Sequence, residues 1–315
     1  MTLLYLDPLF CDHQTGNHPE HPDRITTLIQ HLQETKIIRR CTQIPVTPVS
    51  LKLLQNTHLP QYVDQVRELS EQGGGPIERD TLVSRQSFTV ALHAAGSVVD
   101  AVNRVIQGPD SQALCLIRPP GHHALAEQAM GFCLFNNIAV AAKHAMNQHE
   151  LTRILIIDWD VHHGNGTQDI FYKEPRVMFF SIHRYPFYPG TGRADETGSE
   201  KGAGYTFNIP VSFGTPRSTY LKQFQNAIET LAKRIRPELI MISAGFDSHT
   251  LDPIGSLGLE TEDFIPLTEI VCNCAQDYAD GRLISVLEGG YNRSVLKDCV
   301  HAHLDTLLRF PFSQR

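Results

Sequence analysis

Residues 154–166 read ILIIDWDVHHGNG, an apolar run that ends in residue types suited to binding a metal. The four apolar residues at 154–157 form the unbroken run expected of a parallel strand covered on both faces. Asp158, Asp160 and His162 follow at a spacing of two, and side chains two apart on extended backbone point to the same side. A lone D-x-D-x-H string is more often a solvated loop end than a metal site. The sequences that follow the other predicted strands are needed to decide between these two interpretations.

Three further apolar runs end in reactive residue types in the same way. RPPGHH at 118–123 follows one of them, and its two prolines end the strand before a tandem histidine. Such a pair is either exposed or, when buried with separate partners, able to act as acid and base near neutral pH. Strands alternating with helices predict a mostly parallel sheet with its ligand site beyond the carboxyl strand ends, so all clusters should meet at one edge. The residues that follow the three runs are His122 and His123, then Asp247, then Tyr291.

The bulk composition predicts one large domain, residues 1–315, located in the cytoplasm. The formal net charge is −7 and no block of Lys or Arg occurs, which argues against a nucleic-acid or anionic-membrane surface. Hydrophobic residues make up 41% of the chain but never run long enough to cross a bilayer. Residues 1–10 lack the basic flank and the long apolar core of a signal peptide.

Four other sequence patterns indicate structural roles and not catalytic or binding sites. The seven cysteines include no C-x-x-C pair, so no disulfide framework is expected, and Cys272 and Cys274 are predicted to lie in a helix. The histidines of DHQTGNHPEHPDR at 12–24 fall in a proline-rich segment, which favours a rim loop over a metal site. The three glycines within 72–79 predict a mobile rim loop, since no Lys-Ser/Thr follows them as in a phosphate loop. Residues 3–6 are predicted to form an edge strand or the first strand.

Seven ordered strings, spread over nearly the whole chain, resemble the zinc-dependent histone deacetylase family of amidohydrolases. The similarity is greatest to the class II branch and its bacterial relatives. The resemblance implies an α/β fold of the arginase/deacetylase type, with an open, mostly parallel, eight-stranded sheet flanked by helices. The strings are HPEHPDR at 18–24, RPPGHH at 118–123, GFCLFNN at 131–137, DWDVHHGNGTQ at 158–168, PGTG at 189–192, AGFD at 244–247 and LEGGYN at 287–292.

The resemblance implies a metal centre with three protein ligands, Asp160, His162 and Asp247. Three ligands leave a position for water and the substrate carbonyl, as in a catalytic zinc site. Oxygen-rich ligation also suits iron, cobalt or manganese, so zinc is expected without excluding these metals. Ser181 and the carbonyls of Asp158, Asp160 and His162 correspond to a monovalent-cation site that potassium would fill.

The same resemblance implies roles for two histidines and a tyrosine. Asp158 would orient His122, and Asn165 would orient His123. His123 would take a proton from water and later give it to the amine, while Tyr291 stabilises the oxyanion. Many class I relatives carry aspartate where Asn165 stands, and the neutral amide should leave His123 less basic.

A narrow tunnel for an acylated amine is implied as well. Gly131, Phe132 and Tyr188 would line it, and Arg24 lies where relatives guide acetate away from the metal. Many relatives carry phenylalanine in place of Tyr188. The additional hydroxyl at the rim is expected to alter acyl or peptide preference.

The substrate prediction depends on Ile254, within LDPIGSLG at 251–258. Polyamine-specific relatives place an acidic residue here, in a D-P-E-G context, to pair with the distal ammonium. We therefore expect a deacetylase of lysine side chains in proteins or peptides, with an acetylpolyamine amidohydrolase as the alternative. A binuclear manganese hydrolase is disfavoured because Gly164 replaces the last aspartate of D-x-H-x-D, and a silent acyl-lysine reader because no ligand or oxyanion tyrosine is missing.

Overall fold

An eight-stranded sheet and a separate two-stranded hairpin organise the chain, as a computed structural model of residues 1–310 shows. The order in the large sheet is β2-β1-β5-β10-β9-β6-β7-β8, and all its neighbouring strands run parallel. The predicted domain of residues 1–315 extends five residues beyond the described range. Numbered along the chain, the strands are β1 (Thr2–Tyr5), β2 (Thr42–Gln43), β3 (Gly74–Glu78), β4 (Thr81–Ser84), β5 (Gln112–Cys115), β6 (Ile154–Asp158), β7 (Val177–Arg184), β8 (Thr206–Val211), β9 (Leu239–Ala244) and β10 (Leu283–Leu287).

The central strands are covered on both faces. Every residue of β6, β9 and β10 is buried, which explains their almost continuous apolar sequences. Each fully buried aliphatic side chain contributes roughly 1.5–3 kcal/mol to folding. The hydrophobic effect therefore fixes the sheet that carries the site.

Two groups of helices cover the sheet. In one group α4 packs against α5, and in the other α7, α8, α9 and α1 pack in succession. Gly96 in α4 allows a close approach, because a Cβ there would lie 2.0 Å from the Thr47 carbonyl oxygen. The helices are α1 (Asp23–Glu34), α2 (Leu51–Leu54), α3 (Pro60–Glu71), α4 (Ser87–Gln107), α5 (Asn137–Gln148), α6 (Asn165–Phe171), α7 (Arg217–Ile235), α8 (Phe264–Tyr278) and α9 (Arg293–Arg309).

The sheet order places the four predicted clusters side by side. The strands that lead into them, β5, β10, β9 and β6, are consecutive in the sheet. Because these strands run parallel, their carboxyl ends share one edge. The expectation that the clusters meet at one edge is confirmed.

Two local predictions are wrong. Residues 74–78 form strand β3 of an antiparallel hairpin with β4, where an irregular rim loop was expected. Gly74 makes this pairing feasible, because it has a φ of +97° and a Cβ there would lie 2.3 Å from the Val83 carbonyl oxygen. His13 is buried and lies 2.6 Å from the Ser87 hydroxyl, so part of the 12–24 segment belongs to the interior and not to a rim.

The predictions for the cysteines agree with the structure. All seven cysteines are free, and Cys272 and Cys274 lie in α8. No helix within residues 1–310 is long and apolar enough to cross a membrane. Strand β1 is the first in the chain and lies between β2 and β5, so it is not an edge strand.

Candidate active site

Three buried side chains form a potential metal centre at the carboxyl edge of the sheet. Asp160, His162 and Asp247 offer ligand atoms that all lie within 4.8 Å of one another. The Nδ1 atom of His162 is 3.0 Å from Asp160 Oδ1 and 3.1 Å from Asp247 Oδ2. Asp247 Oδ2 is buried and accepts no hydrogen bond from residues 1–310. An acceptor of this kind, directed at two other ligand atoms, fits a cation.

Backbone hydrogen bonds hold the two carboxylates in place. The amide of His162 donates to Asp160 Oδ1 at 2.9 Å, and the amide of Gly289 donates to Asp160 Oδ2 at 2.8 Å. The amide of Val161 donates to Asp247 Oδ1 at 2.9 Å. A Cβ on Gly289 would lie 2.2 Å from Asp247 Oδ2 and 2.6 Å from Asp160 Oδ2. Only glycine lets the backbone approach this closely.

The pKa values show that the three groups together favour a positive charge. Burial and the charge of Asp160 raise the pKa of Asp247 to about 7. Burial alone would lower the pKa of His162, but its hydrogen bond to Asp160 and the neighbouring carboxylate of Asp247 raise that pKa to about 9. A divalent cation can replace this proton and balance both carboxylates. The donor set therefore fits a three-ligand metal site.

A pair of histidines faces the metal centre. His122 Nδ1 lies 2.9 Å from Asp158 Oδ2, His123 Nδ1 lies 2.7 Å from Asn165 Oδ1, and the two ring centroids are 4.0 Å apart. Burial would lower the pKa of His122, but the charges of Asp158 and Asp160 raise it to about 10. Burial and the neighbouring charged His122 lower the pKa of His123. The pair thus combines a charged and a neutral imidazole.

Glu288 was not singled out from the sequence, yet it anchors the loop that carries these histidines. Its Oε2 accepts hydrogen bonds from the backbone amides of Gly121 and His122 at 2.7 and 3.2 Å. Its Oε1 accepts from the Ser243 hydroxyl at 3.0 Å. Burial raises its pKa to about 7. A carboxylate directly after the buried run at 283–287 was the available signal.

Aromatic side chains surround the metal centre. The ring centroid of Tyr188 lies 5.3 Å from that of His123 and 6.0 Å from that of His162, and the Tyr188 residue is 37% exposed. The rings of Phe132 and Tyr291 meet edge to face at 5.6 Å. The arrangement leaves aromatic walls above the metal centre.

Gly131 and Ile254 lie in the two loops beside these walls. Gly131 is buried with a φ of +55°, and a Cβ there would lie 2.3 Å from His123 Cδ2. Glycine is therefore required where this loop passes the imidazole. Ile254 is half-buried, and its amide donates to Asp252 Oδ1 at 2.9 Å.

Arg24 is completely buried beneath Tyr291. Its guanidinium donates to the carbonyl oxygens of Gly290 and Glu288 at 2.7 and 2.5 Å, and to Glu20 Oε1 at 3.0 Å. Its guanidinium carbon lies 5.1 Å from the Tyr291 ring centroid. Arg24 thus holds the loop that bears Tyr291 through the Gly290 and Glu288 carbonyl groups. The sequence did not indicate these hydrogen bonds.

Ser181 lies on β7, in register with Asp158 on β6. Its hydroxyl is 2.9 Å from His183 Nδ1, so the serine side chain already has a partner. Binding of a monovalent cation by Ser181 and the nearby carbonyls stays a prediction.

A sequence profile of the histone deacetylase domain matches residues 18–307. The chain belongs to the histone deacetylase family. A "Probable deacetylase" of Archaeoglobus fulgidus is 40% identical over 89% of this chain and 78% of the relative. The human "Polyamine deacetylase HDAC10" is 38% identical over 93% of this chain and 45% of the relative.

Among solved structures, the HD domain of HDA15 superposes with a TM-score of 0.92 at 35% identity. The superposition covers 98% of this chain and 91% of the HDA15 chain. The parallel eight-stranded sheet flanked by helices is therefore the fold of a histone deacetylase. Membership of this family makes the protein a deacetylase enzyme.

Proposed function

We propose that this histone deacetylase family member is a metal-dependent hydrolase of acetylated lysine side chains in proteins or peptides. The buried cluster of Asp160, His162 and Asp247, which faces a tandem histidine, is the observation that carries the proposal. An amide is a stable bond, and its hydrolysis needs an activated water, a stabilised oxyanion and a proton for the leaving amine. The site offers a group for each requirement.

The three carboxylate and imidazole side chains would hold one zinc ion. Such an ion polarises a carbonyl and lowers the pKa of bound water toward neutrality. Iron, cobalt or manganese would suit the same donors. Potassium near Ser181 is part of the proposal as a structural ion.

His123 is proposed as the proton carrier. Its Nδ1 lies against Asn165 Oδ1, so the N–H is held there and Nε2 is left free to accept a proton. The neutral amide of Asn165 adds no charge to favour the imidazolium, which suits a group that must release its proton to the amine. His122, paired with Asp158, keeps a positive charge close to the reacting atoms.

Tyr291 is proposed as the donor to the oxyanion. Its ring lies against Phe132 and Arg24, near the carboxylates of the metal centre. Burial raises its pKa, so the phenol keeps the proton that it must donate. Losing one donor of this kind costs about a hundredfold to a thousandfold in rate.

We assign substrate binding to the loops around the aromatic walls. Gly131, Phe132 and Tyr188 would enclose the aliphatic stem of the acyl-lysine, and Ile254 would pack against it. Arg24 is proposed to guide acetate away. The cytoplasmic location stays a prediction.

An acetylpolyamine is the second candidate substrate. The human relative that is named a polyamine deacetylase motivates it. Ile254 offers no charge to a distal ammonium, and a salt-screened net charge of −7 attracts polyamines only diffusely. We therefore expect higher kcat/KM on acetyl-lysine peptides than on acetylspermidine or acetylputrescine. A wild-type preference for the acetylpolyamines would reverse the choice of substrate.

Metal dependence is tested separately. Chelation should abolish activity, and one equivalent of zinc should restore it. Asp160→Ala and Asp247→Ala should each lose metal and activity together, because two ligands remain. Tight binding of two transition-metal ions at this site, measured by metal analysis, would contradict the single-metal proposal.

A further inference from the structure

The carboxylate of Asp252 connects two loops of the site. Its Oδ2 accepts hydrogen bonds from the backbone amides of Tyr291 and Asn292 at 2.7 and 3.3 Å. Its Oδ1 accepts from the amides of Ile254 and Gly255, each at 2.9 Å. Asp252 is itself buried, and all four donors are backbone groups.

The two pairs of hydrogen bonds made by Asp252 differ in the distance that they span along the chain. The bonds to Ile254 and Gly255 form an ordinary Asx turn, which many Asp-Pro sequences adopt without any functional reason. The bonds to Tyr291 and Asn292 span 39 and 40 residues along the chain. A local turn does not require them.

The loop held by Asp252 also lies against the metal centre. The amide of Ser256 donates to the carbonyl oxygen of Asp247 at 2.7 Å, and a Cβ on Gly255 would lie 2.4 Å from that same oxygen. The guanidinium of Arg184 donates to the Gly255 carbonyl oxygen at 2.9 Å. The loop therefore packs directly against the backbone of Asp247.

We propose that Asp252 is a positioning residue that fixes Tyr291 relative to Asp247. The inference rests on the proposed function, in which Tyr291 donates to the oxyanion. A displacement of about 1 Å in such a group can cost on the order of a hundredfold in rate. One oxygen of the Asp252 carboxylate accepts from the Tyr291 amide, and the other accepts from the loop that packs against Asp247. Asp252 therefore sets the distance between Tyr291 and Asp247.

Asp252→Asn is the first test. The amide keeps one acceptor oxygen and directs an NH2 group at backbone donors, so one of the two loops must lose its bonds. We expect kcat on an acetylated substrate to fall about tenfold to a hundredfold. Metal content and the affinity for a hydroxamate should stay within about threefold, because no ligand is lost. A parallel loss of metal would instead make Asp252 a support of the metal centre and overturn the proposal.

Asp263→Asn is the matched control. Asp263 is also buried and also accepts from a backbone amide, that of Glu260 at 2.8 Å, but it contacts Arg217 and not the site. This variant should keep wild-type kcat. An equal fall in both variants would show a general loss of stability and overturn the specific role.

A double-mutant cycle with Tyr291→Phe decides whether Asp252 acts through the tyrosine. In the Tyr291→Phe background, Asp252→Asn should change kcat by less than about threefold, because the hydroxyl to be positioned is gone. Additive losses would refute the inference while leaving the role of Tyr291 intact. Wild-type kcat in Tyr291→Phe would refute that role itself, and with it the inference. If Asp252→Asn does not fold, Asp252→Glu, which keeps the charge but displaces the carboxylate, replaces it in the cycle.

Discussion

His123 is the residue whose substitution best separates chemistry from binding. His123→Ala should lower kcat about a hundredfold to ten-thousandfold, because the lost group carries a proton. Affinity for a hydroxamate should change little, since His123 is not among the clustered ligand side chains. Steady-state kinetics and calorimetric titration of the inhibitor measure the two effects.

The matched control is His144→Ala. His144 lies on α5 and bonds Asn103 at 2.7 Å, so its loss should leave kcat at the wild-type value. If His123→Ala loses metal and inhibitor binding as well as turnover, His123 is a ligand.

Ile254 determines the substrate class in the proposed function. Ile254→Glu would place a carboxylate beside the proposed substrate tunnel, where an ion pair with a distal ammonium contributes roughly 1–4 kcal/mol. We expect the ratio of kcat/KM for acetylspermidine to that for an acetyl-lysine peptide to rise about tenfold or more. Competition assays with both substrates measure the ratio.

Leu251→Glu controls for added charge. Leu251 lies in the same loop and is 61% exposed, so the new carboxylate would be solvated and screened. An equal shift in both variants would attribute the effect to net charge, not to position 254.

The candidate metal cluster could be located from the sequence because the spacing after β6 places Asp158, Asp160 and His162 at one strand end. The choice of Asp160, His162 and Asp247 as the ligands came from the resemblance to the family. Asp158, Asp160 and His162 follow one another locally, and the parallel sheet brings Asp247 beside them. Glu288 and Asp252 act through contacts between segments far apart in the chain. Such contacts depend on which strands become neighbours, and no local pattern states that order.

At the scale of elements, the turn after β10 is fitted closely to the metal centre. Gly289→Ala should displace Asp160 and Asp247, because a Cβ would lie well inside contact distance of both carboxylates. We expect metal affinity to fall about tenfold to a hundredfold, by analogy with disrupted support of metal ligands. Competition with a chromogenic chelator measures it.

Gly214→Ala is a suitable comparison for Gly289→Ala. Gly214 has a φ of +83° and open space around it. Alanine there strains the backbone and lowers stability, but its Cβ contacts no part of the site. Wild-type metal affinity in Gly289→Ala would show that the turn can move to accept a Cβ. The close approach of the Gly289 backbone to the two carboxylates would then be unimportant for metal binding.

Helices were predictable from the period of their hydrophobic residues, and buried strands from their unbroken apolar runs. The β3–β4 hairpin was not, because Gly74 and Gly75 contribute no side chains to an alternating pattern. Their positive φ angles permit the close pairing with β4, a requirement that becomes visible only with the partner strand in place.

At the scale of the whole molecule, buried neutral histidines should make stability depend on pH. Burial lowers the pKa of His58 to about 4 and that of His303 to about 3. Unfolded histidine has a pKa of about 6.5, so below that value the unfolded chain binds more protons and is favoured. The loss of stability begins as pH falls through about 6.5 and continues to the folded pKa values; no such effect exists above it.

His303→Gln isolates one of these groups. His303 lies 2.6 Å from the Thr268 hydroxyl and 2.9 Å from that of Ser285, and an amide can keep polar contacts there. Between pH 6.5 and 5 the wild type should lose about 2 kcal/mol more free energy of unfolding than the variant. Urea titrations of the metal-free proteins give the values; parallel curves would mean that His303 is charged in the folded state.

The strand order of the sheet limits when the active site can form during synthesis of the chain. Strand β10 is the last of the strands to be synthesised, yet it occupies the slot between β5 and β9. Without β10, the other strands of the large sheet can pair only as two separate groups, β2-β1-β5 and β9-β6-β7-β8. Tyr291, the proposed oxyanion donor, follows β10 and is placed only when β10 is inserted. The site can therefore be completed only after β10 has been synthesised, and until then the edges of β5 and β9 are open to pairing with other strands.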